Sequence, residues 1–120
     1  MPAQRNGYAD LHDVLDWVQL RLADPPTVEE MAARAKMSAR TFARRFRDTT
    51  GATPHAWVVQ QRVQRAQELL EEGDLSVEQI ARECGFAGGA GLREHFVRLR
   101  GVSPQSYRRT FAARSLDPAA

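Results

Sequence analysis

The sequence predicts an all-α fold of seven helices, in which two copies of one helical unit are joined by a long helix. Three observations predict it. The segment from Thr27 to Trp57 matches the segment from Ser76 to Tyr107, with a one-residue difference in a turn. Each copy opens on a pair of residues suited to cap a helix. Apolar residues recur at three- and four-residue spacing, and no stretch alternates with the period of a strand.

The leading helix rests on Leu11, Val14, Leu15, Val18 and Leu22, in a segment closed by Pro25-Pro26. In the first copy, Thr27 and Glu30 have capping-box spacing, and Val28, Met31 and Ala32 give a short helix one buried face. A turn over Ala35-Lys36-Met37 follows. Ser38 then caps a second helix of about three turns that stops near Gly51. Thr53-Pro54, a hydroxyl followed by proline at the first helical position, opens a helix running to about Glu72, with Trp57, Val63, Ala66, Leu69 and Leu70 expected inside. The second copy repeats the scheme: Ser76 with Gln79 as cap, Val77, Ile80 and Ala81 as buried face, and a turn through Gly85. Its second helix, about residues 89–100, carries Leu92 and Phe96, and Ser103-Pro104 opens a last helix with Tyr107. Met37 and Phe86 are expected to plug the two turns. The corresponding division is a flexible start over 1–8, a first unit over 9–52, the linking helix over 53–72, a second unit over 73–112 and a flexible end over 113–120.

Several function classes fall away on composition. No apolar run approaches the roughly 18–20 residues of a membrane span, and Met1 to Arg5 lack the apolar stretch of a secretory signal, so the chain reads as cytoplasmic. Cys84, the only cysteine, excludes an internal disulfide and is expected to be a small buried hydrophobe. No cofactor or metal is expected. His12, His55 and His95 are scattered, and Gly88-Gly89 follows no strand that would make a phosphate-cradling loop, so no catalytic constellation is visible.

Charge is segregated despite a formal net charge of only +2. The beginning is acidic, whereas Arg34, Lys36, Arg40, Arg44, Arg45 and Arg47 form one basic block and Arg93, Arg98, Arg100, Arg108, Arg109 and Arg114 another. A short helix, a tight turn and a second helix of three turns describe a helix-turn-helix, whose second helix can enter a DNA major groove. In steps of about 100° per residue from Phe42 and Phe46, Arg40, Arg44 and Arg47 reach the opposite face. Guanidinium groups there suit phosphates and the O6 and N7 atoms of guanine. In the second copy Ala90 and Glu94 point outward, with Arg93, Val97 and Arg98 at the margins. That face is less basic, and its glycine-rich start is a poor helix former, so the second helix is expected to add little base selectivity or to order only on DNA. The linking helix, about 30 Å long, suits two reading helices in successive major grooves about 34 Å apart.

These residues resemble the DNA-binding domain of the AraC/XylS family of transcriptional regulators over about residues 8–112. The resemblance is carried by Gly85-Phe86, Phe96, Gly101 and Ser103-Pro104 with Tyr107-Arg108, and in the first copy by Met37-Ser38, Phe42, Arg44, Phe46, Gly51 and Pro54. It implies two helix-turn-helix subdomains that bind double-stranded promoter DNA and contact RNA polymerase, typically as an activator. The base-facing positions that it implies are Arg40, Ala43 and Arg44 in the first motif and Ala90, Gly91 and Glu94 in the second, to which the helical spacing adds Arg47 and Arg93. Phosphate contacts are assigned to Ser38, Thr41, Arg62, Arg98 and Arg108, with pairing to Glu68 and neighbouring acids as the alternative for Arg62. The second motif departs from the family pattern at Gly91, Leu92, Glu94 and Val97. Leu92-Arg93 with Phe96, and the run from Arg40 to Phe46, look like a subgroup in which an amidotransferase-like (DJ-1/PfpI-type) domain precedes the DNA-binding part. On that reading the chain is an excised C-terminal domain without its sensor or oligomerisation domain, bacterial and nucleoid-associated; Met1-Pro2-Ala3 could instead be a natural start. The alternative is a helical protein-interaction module without specific DNA binding, which would show an apolar stripe where Arg40, Arg44 and Arg47 stand.

Overall fold

The computed structural model describes residues 7–115, with side chains from Leu11 onward. It contains α1 (Gly7–Gln19), α2 (Val28–Arg34), α3 (Ala39–Thr50), α4 (Pro54–Glu72), α5 (Val77–Cys84), α6 (Gly89–Arg100) and α7 (Pro104–Ser115), and no strand among the described residues. Two units divide between Val59 and Gln60. The expected flexible ends fall largely on residues 1–6 and 116–120, outside the described residues; Gly7 and Tyr8 already belong to α1.

In the first unit the apolar faces of α1, α2 and α3 close over Leu11, Val14, Val18, Met31, Ala32, Phe42 and Phe46, with Val58 from α4. Phe42 and Phe46 are fully buried, and Trp57 meets the Phe46 ring edge-on at 5.7 Å between centroids. One detail departs from the pattern in the sequence. α1 ends at Gln19, and Leu22 reaches the core from a turn, in which the Arg21 N–H donates to Val18 O at 2.9 Å. Pro25-Pro26 forces the chain out of helical geometry just beyond. Arg34 joins α2 to α1: its Nε donates to Asp13 Oδ2 at 2.9 Å, and its guanidinium lies 4.4 Å from the centre of the Trp17 ring.

Both capping boxes form. Thr27 N–H donates to Glu30 Oε1 at 2.8 Å while Glu30 N–H donates to Thr27 Oγ1 at 3.1 Å, and Ser76 with Gln79 repeats both bonds at the same distances. The ends of α2 and α5 also match. Met37 N–H donates to Ala32 O and Phe86 N–H to Ala81 O, a six-residue closure that needs a left-handed residue just before the donor. Gly85 supplies it at φ 95°, but the first copy places Lys36 there at φ 62°. A Cβ in that region is strained. Lys36→Gly is therefore expected to stabilise the first unit by up to about 1 kcal/mol; a denaturation midpoint that does not rise would show that the turn carries no such strain.

The second unit packs α5 and α6 on Val63, Ala66 and Leu70 of α4, around Ile80, Ala81, Cys84, Leu92 and Phe96. Phe86 plugs the turn, and Tyr107 meets Phe96 edge-on at 5.8 Å. The Tyr107 hydroxyl donates to the Glu71 carboxylate; partial burial, then that bond, raise the phenol above its ordinary range. Cys84 is fully buried, and desolvation pushes its thiol up to about 11. Trp57 and Leu69, expected inside, are only half-buried.

Arg108 closes the end of α4. Its Nε donates to Leu70 O at 3.2 Å, one terminal nitrogen to Leu75 O at 2.7 Å, and the other to Leu69 O at 3.4 Å and Gly73 O at 3.3 Å. The last carbonyls of a helix have no partner within it, and a cation is favourable there. α4 has no basic residue of its own in its last turn.

Candidate nucleic-acid interface

α3 is held by its ends and its buried face. Ser38 Oγ accepts from Thr41 N–H at 3.1 Å, and Gly51, left-handed at φ 81°, closes the far end on Arg47 O. With Phe42 and Phe46 inside, Arg40, Arg44 and Arg47 are exposed, as is Arg45, while Ala43 and Thr41 are half-buried. Among the described residues the guanidinium group of none of these four arginines has an ion-pair or hydrogen-bond partner. The helix thus shows solvent four uncompensated guanidinium groups, each able to donate several bonds. The Ser38 hydroxyl is engaged as a cap acceptor but retains its proton for a further acceptor.

α6 stands in the same place in the second unit with different chemistry. Where α3 has Arg40, Arg44 and Arg47, the repeat puts Ala90, Glu94 and Val97, all exposed. Gly91 is half-buried, and a Cβ there would lie in ordinary contact with Phe86 at 4.0 Å. The arginines around the face are turned to partners. Arg93 lies 3.9 Å from Glu78 Oε2, and Arg98 is 2.6 Å from His95 Nδ1. Arg100 donates to Gln67 at 2.6 Å and Gln64 at 3.0 Å.

The start of α6 shows a feature that the sequence reading missed. Gly88 occupies the cap position in a fully extended conformation and offers no side chain. Glu78, on α5, replaces it: its Oε1 accepts from Gly89 N–H at 3.1 Å. α6 thereby runs from Gly89 to Arg100 with its first turn capped from α5. The signal was the missing cap at Gly88, which required an acceptor from elsewhere in the chain.

Two of the residues assigned to phosphate, Arg108 and Arg62, have partners within the second unit. All three guanidinium nitrogens of Arg108 donate to carbonyl oxygens, with partners up to 39 residues away that its position near a helix start does not reveal. Arg62 lies over the Phe86 ring at 5.9 Å, half-buried, with its pKa lowered by desolvation. Its guanidinium borders the second core, and Glu68 is taken by Arg65 at 3.2 Å.

Comparison with known proteins gives consistent relatives. The helix-turn-helix domain family matches residues 31–110. The HTH-type transcriptional regulator Rv1931c of Mycobacterium tuberculosis is 41% identical over 85 residues, 71% of this chain and 33% of its own length. The HTH-type transcriptional activator RhaS of Klebsiella pneumoniae is 34% identical over 103 residues, 86% of this chain and 37% of its own length. The chain therefore spans about a third of these curated relatives. Among solved structures, the DNA-binding domain of the global transcriptional factor AdpA in complex with a target DNA is 48% identical, with a TM-score of 0.81 over 88% of this chain and 95% of that one. An AraC-type regulator from Chromobacterium violaceum, 23% identical, shares the fold with a TM-score of 0.82 over 88% of this chain and 94% of its own.

Proposed function

The chain belongs to the AraC-type helix-turn-helix family, and from that premise we infer that it binds double-stranded DNA sequence-specifically to regulate transcription, with α3 as its principal base-reading helix. Its family is one of transcriptional regulators, not of enzymes. The observation that carries the assignment to α3 is the set of Arg40, Arg44 and Arg47 on one exposed face without an internal partner. An unpaired guanidinium meets DNA without first breaking an ion pair, and its fork matches guanine O6 and N7. Ala43 lies among them as a small surface allowing close approach, while Ser38 and Thr41 at the helix start are placed for phosphate.

α6 takes a second major groove, successive to the first, with Ala90, Gly91, Arg93 and Glu94 toward the bases and Arg98 toward phosphate. Its partners on this reading are promoter DNA and RNA polymerase, in the bacterial cytoplasm at the nucleoid. The share of its relatives that the chain spans supports a further sensor or oligomerisation domain in such proteins, of the amidotransferase-like type on the subgroup resemblance. Among the described residues no helix is long and apolar enough to cross a membrane.

Selection of bound sequences from a random duplex pool at a stated salt concentration tests the reading. Wild type is expected to enrich a motif of two blocks, and the Arg40→Ala/Arg44→Ala variant to lose one of them. Enrichment of no sequence would favour the protein-interaction module. Affinity for the enriched duplex is expected to fall steeply with salt through counterion release; a flat response would count against phosphate contact.

A further inference from the structure

We propose that α6 reads thymine, through its 5-methyl group, by an apolar stripe of Ala90 and Val97 around Glu94. The proposal rests on the DNA-binding reading above and gives the second helix its own base chemistry.

The stripe is defined by position and exposure. Ala90, Glu94 and Val97 are spaced four and three residues apart and share one face of the helix. Val97 is 45% exposed, one of three large apolar residues left in water among the described residues. Scattered exposed apolar residues need no explanation. Val97 is not scattered, because the repeat places it where α3 carries Arg47, on the face where Ala90 answers Arg40 and Glu94 answers Arg44. The arginines lie at the margins of this stripe, Arg93 3.9 Å from Glu78 Oε2 and Arg98 2.6 Å from His95 Nδ1. Glu94 has no partner among the described residues.

In the major groove only thymine offers an apolar group, and alanine-like methyls are its natural contacts. An ionised carboxylate accepts hydrogen bonds and donates none, so Glu94 disfavours the acceptor pair O6 and N7 of guanine and favours an amino group beside the methyl. Ala90 to Val97 spans about 10 Å of helix, the length of about three base pairs at 3.4 Å each. The thymines read should therefore fall within one such window.

Removal of single methyl groups tests this directly. In the block that survives Arg40→Ala/Arg44→Ala, each thymine is replaced in turn by deoxyuridine, and competition titrations are run with wild type and Val97→Ala at one salt concentration. The expected result is a loss of about fourfold at one or two positions for wild type, the worth of one buried methyl, and a smaller or absent loss for Val97→Ala. A second variant, Val97→Arg, which restores the residue type of the first copy, should shift the block toward guanine in selection. Equal affinity for thymine and deoxyuridine throughout an enriched block would overturn the proposal while leaving DNA binding intact. So would a methyl penalty undiminished in Val97→Ala. Failure of wild type to enrich any sequence would overturn both readings, which separates the two cases.

Discussion

Replacing Arg44 by alanine is expected to weaken binding to the selected duplex by about 1–3 kcal/mol, roughly five- to a hundredfold, and to relax the preference at one position of its block. Arg44 is exposed and has no internal partner among the described residues, so its loss breaks nothing within the fold. Unfolding should stay within about 0.5 kcal/mol of wild type. Arg44→Lys separates charge from geometry. An ammonium restores attraction to phosphate but not the two-pronged bond to guanine, so affinity for a scrambled duplex should return and selectivity should not. Competition between cognate and scrambled duplexes at one salt concentration reads both quantities, and an unchanged ratio in Arg44→Ala would remove this residue from the reading face.

Arg108→Ala should act on stability instead, costing the second unit about 2–4 kcal/mol, because a hydrogen bond to a charged group contributes about 1.5–3 kcal/mol and its carbonyl partners would be left open. The effect is enlarged by where the bonds fall. α4 ends on Glu71 and Glu72, charges of the wrong sign for a helix C-terminus, and Arg108 brings a cation to its last carbonyls. Lysine should recover only part of the loss, since one ammonium cannot reach the four carbonyls spread from Leu69 to Leu75. Chemical denaturation measures the cost. A variant within about 0.5 kcal/mol of wild type whose salt dependence of DNA binding falls by one phosphate contact would return Arg108 to the interface.

The contrast between these two arginines shows what could be read from the sequence. Features governed by neighbours a few residues apart were legible: both capping boxes, Ser38 and Gly51 around α3, Phe42 and Phe46 inside, and Arg40, Arg44 and Arg47 outside. Periodicity and cap chemistry determine such positions locally. What was not legible depends on distant partners. Glu78 caps a helix eleven residues away, Arg100 reaches Gln64 and Gln67, and Arg108 was assigned to phosphate because only its local position could be weighed. Leu22 shows another limit, since its spacing continues α1 whereas the proline pair ends the helix and a turn delivers the side chain to the same core. Lys36 holds a conformation that its residue type does not announce.

The burial of Cys84 has a practical corollary. It is the one sulfhydryl in the chain, enclosed by the second core and held protonated well above neutral pH. An alkylating reagent can reach it only when that core opens, and the rate of modification then counts opening events instead of surface reactivity. The chain thus carries its own clock for the breathing of the α6 unit, readable by mass spectrometry with no added label, and slowed by any duplex that grips that unit in its closed form.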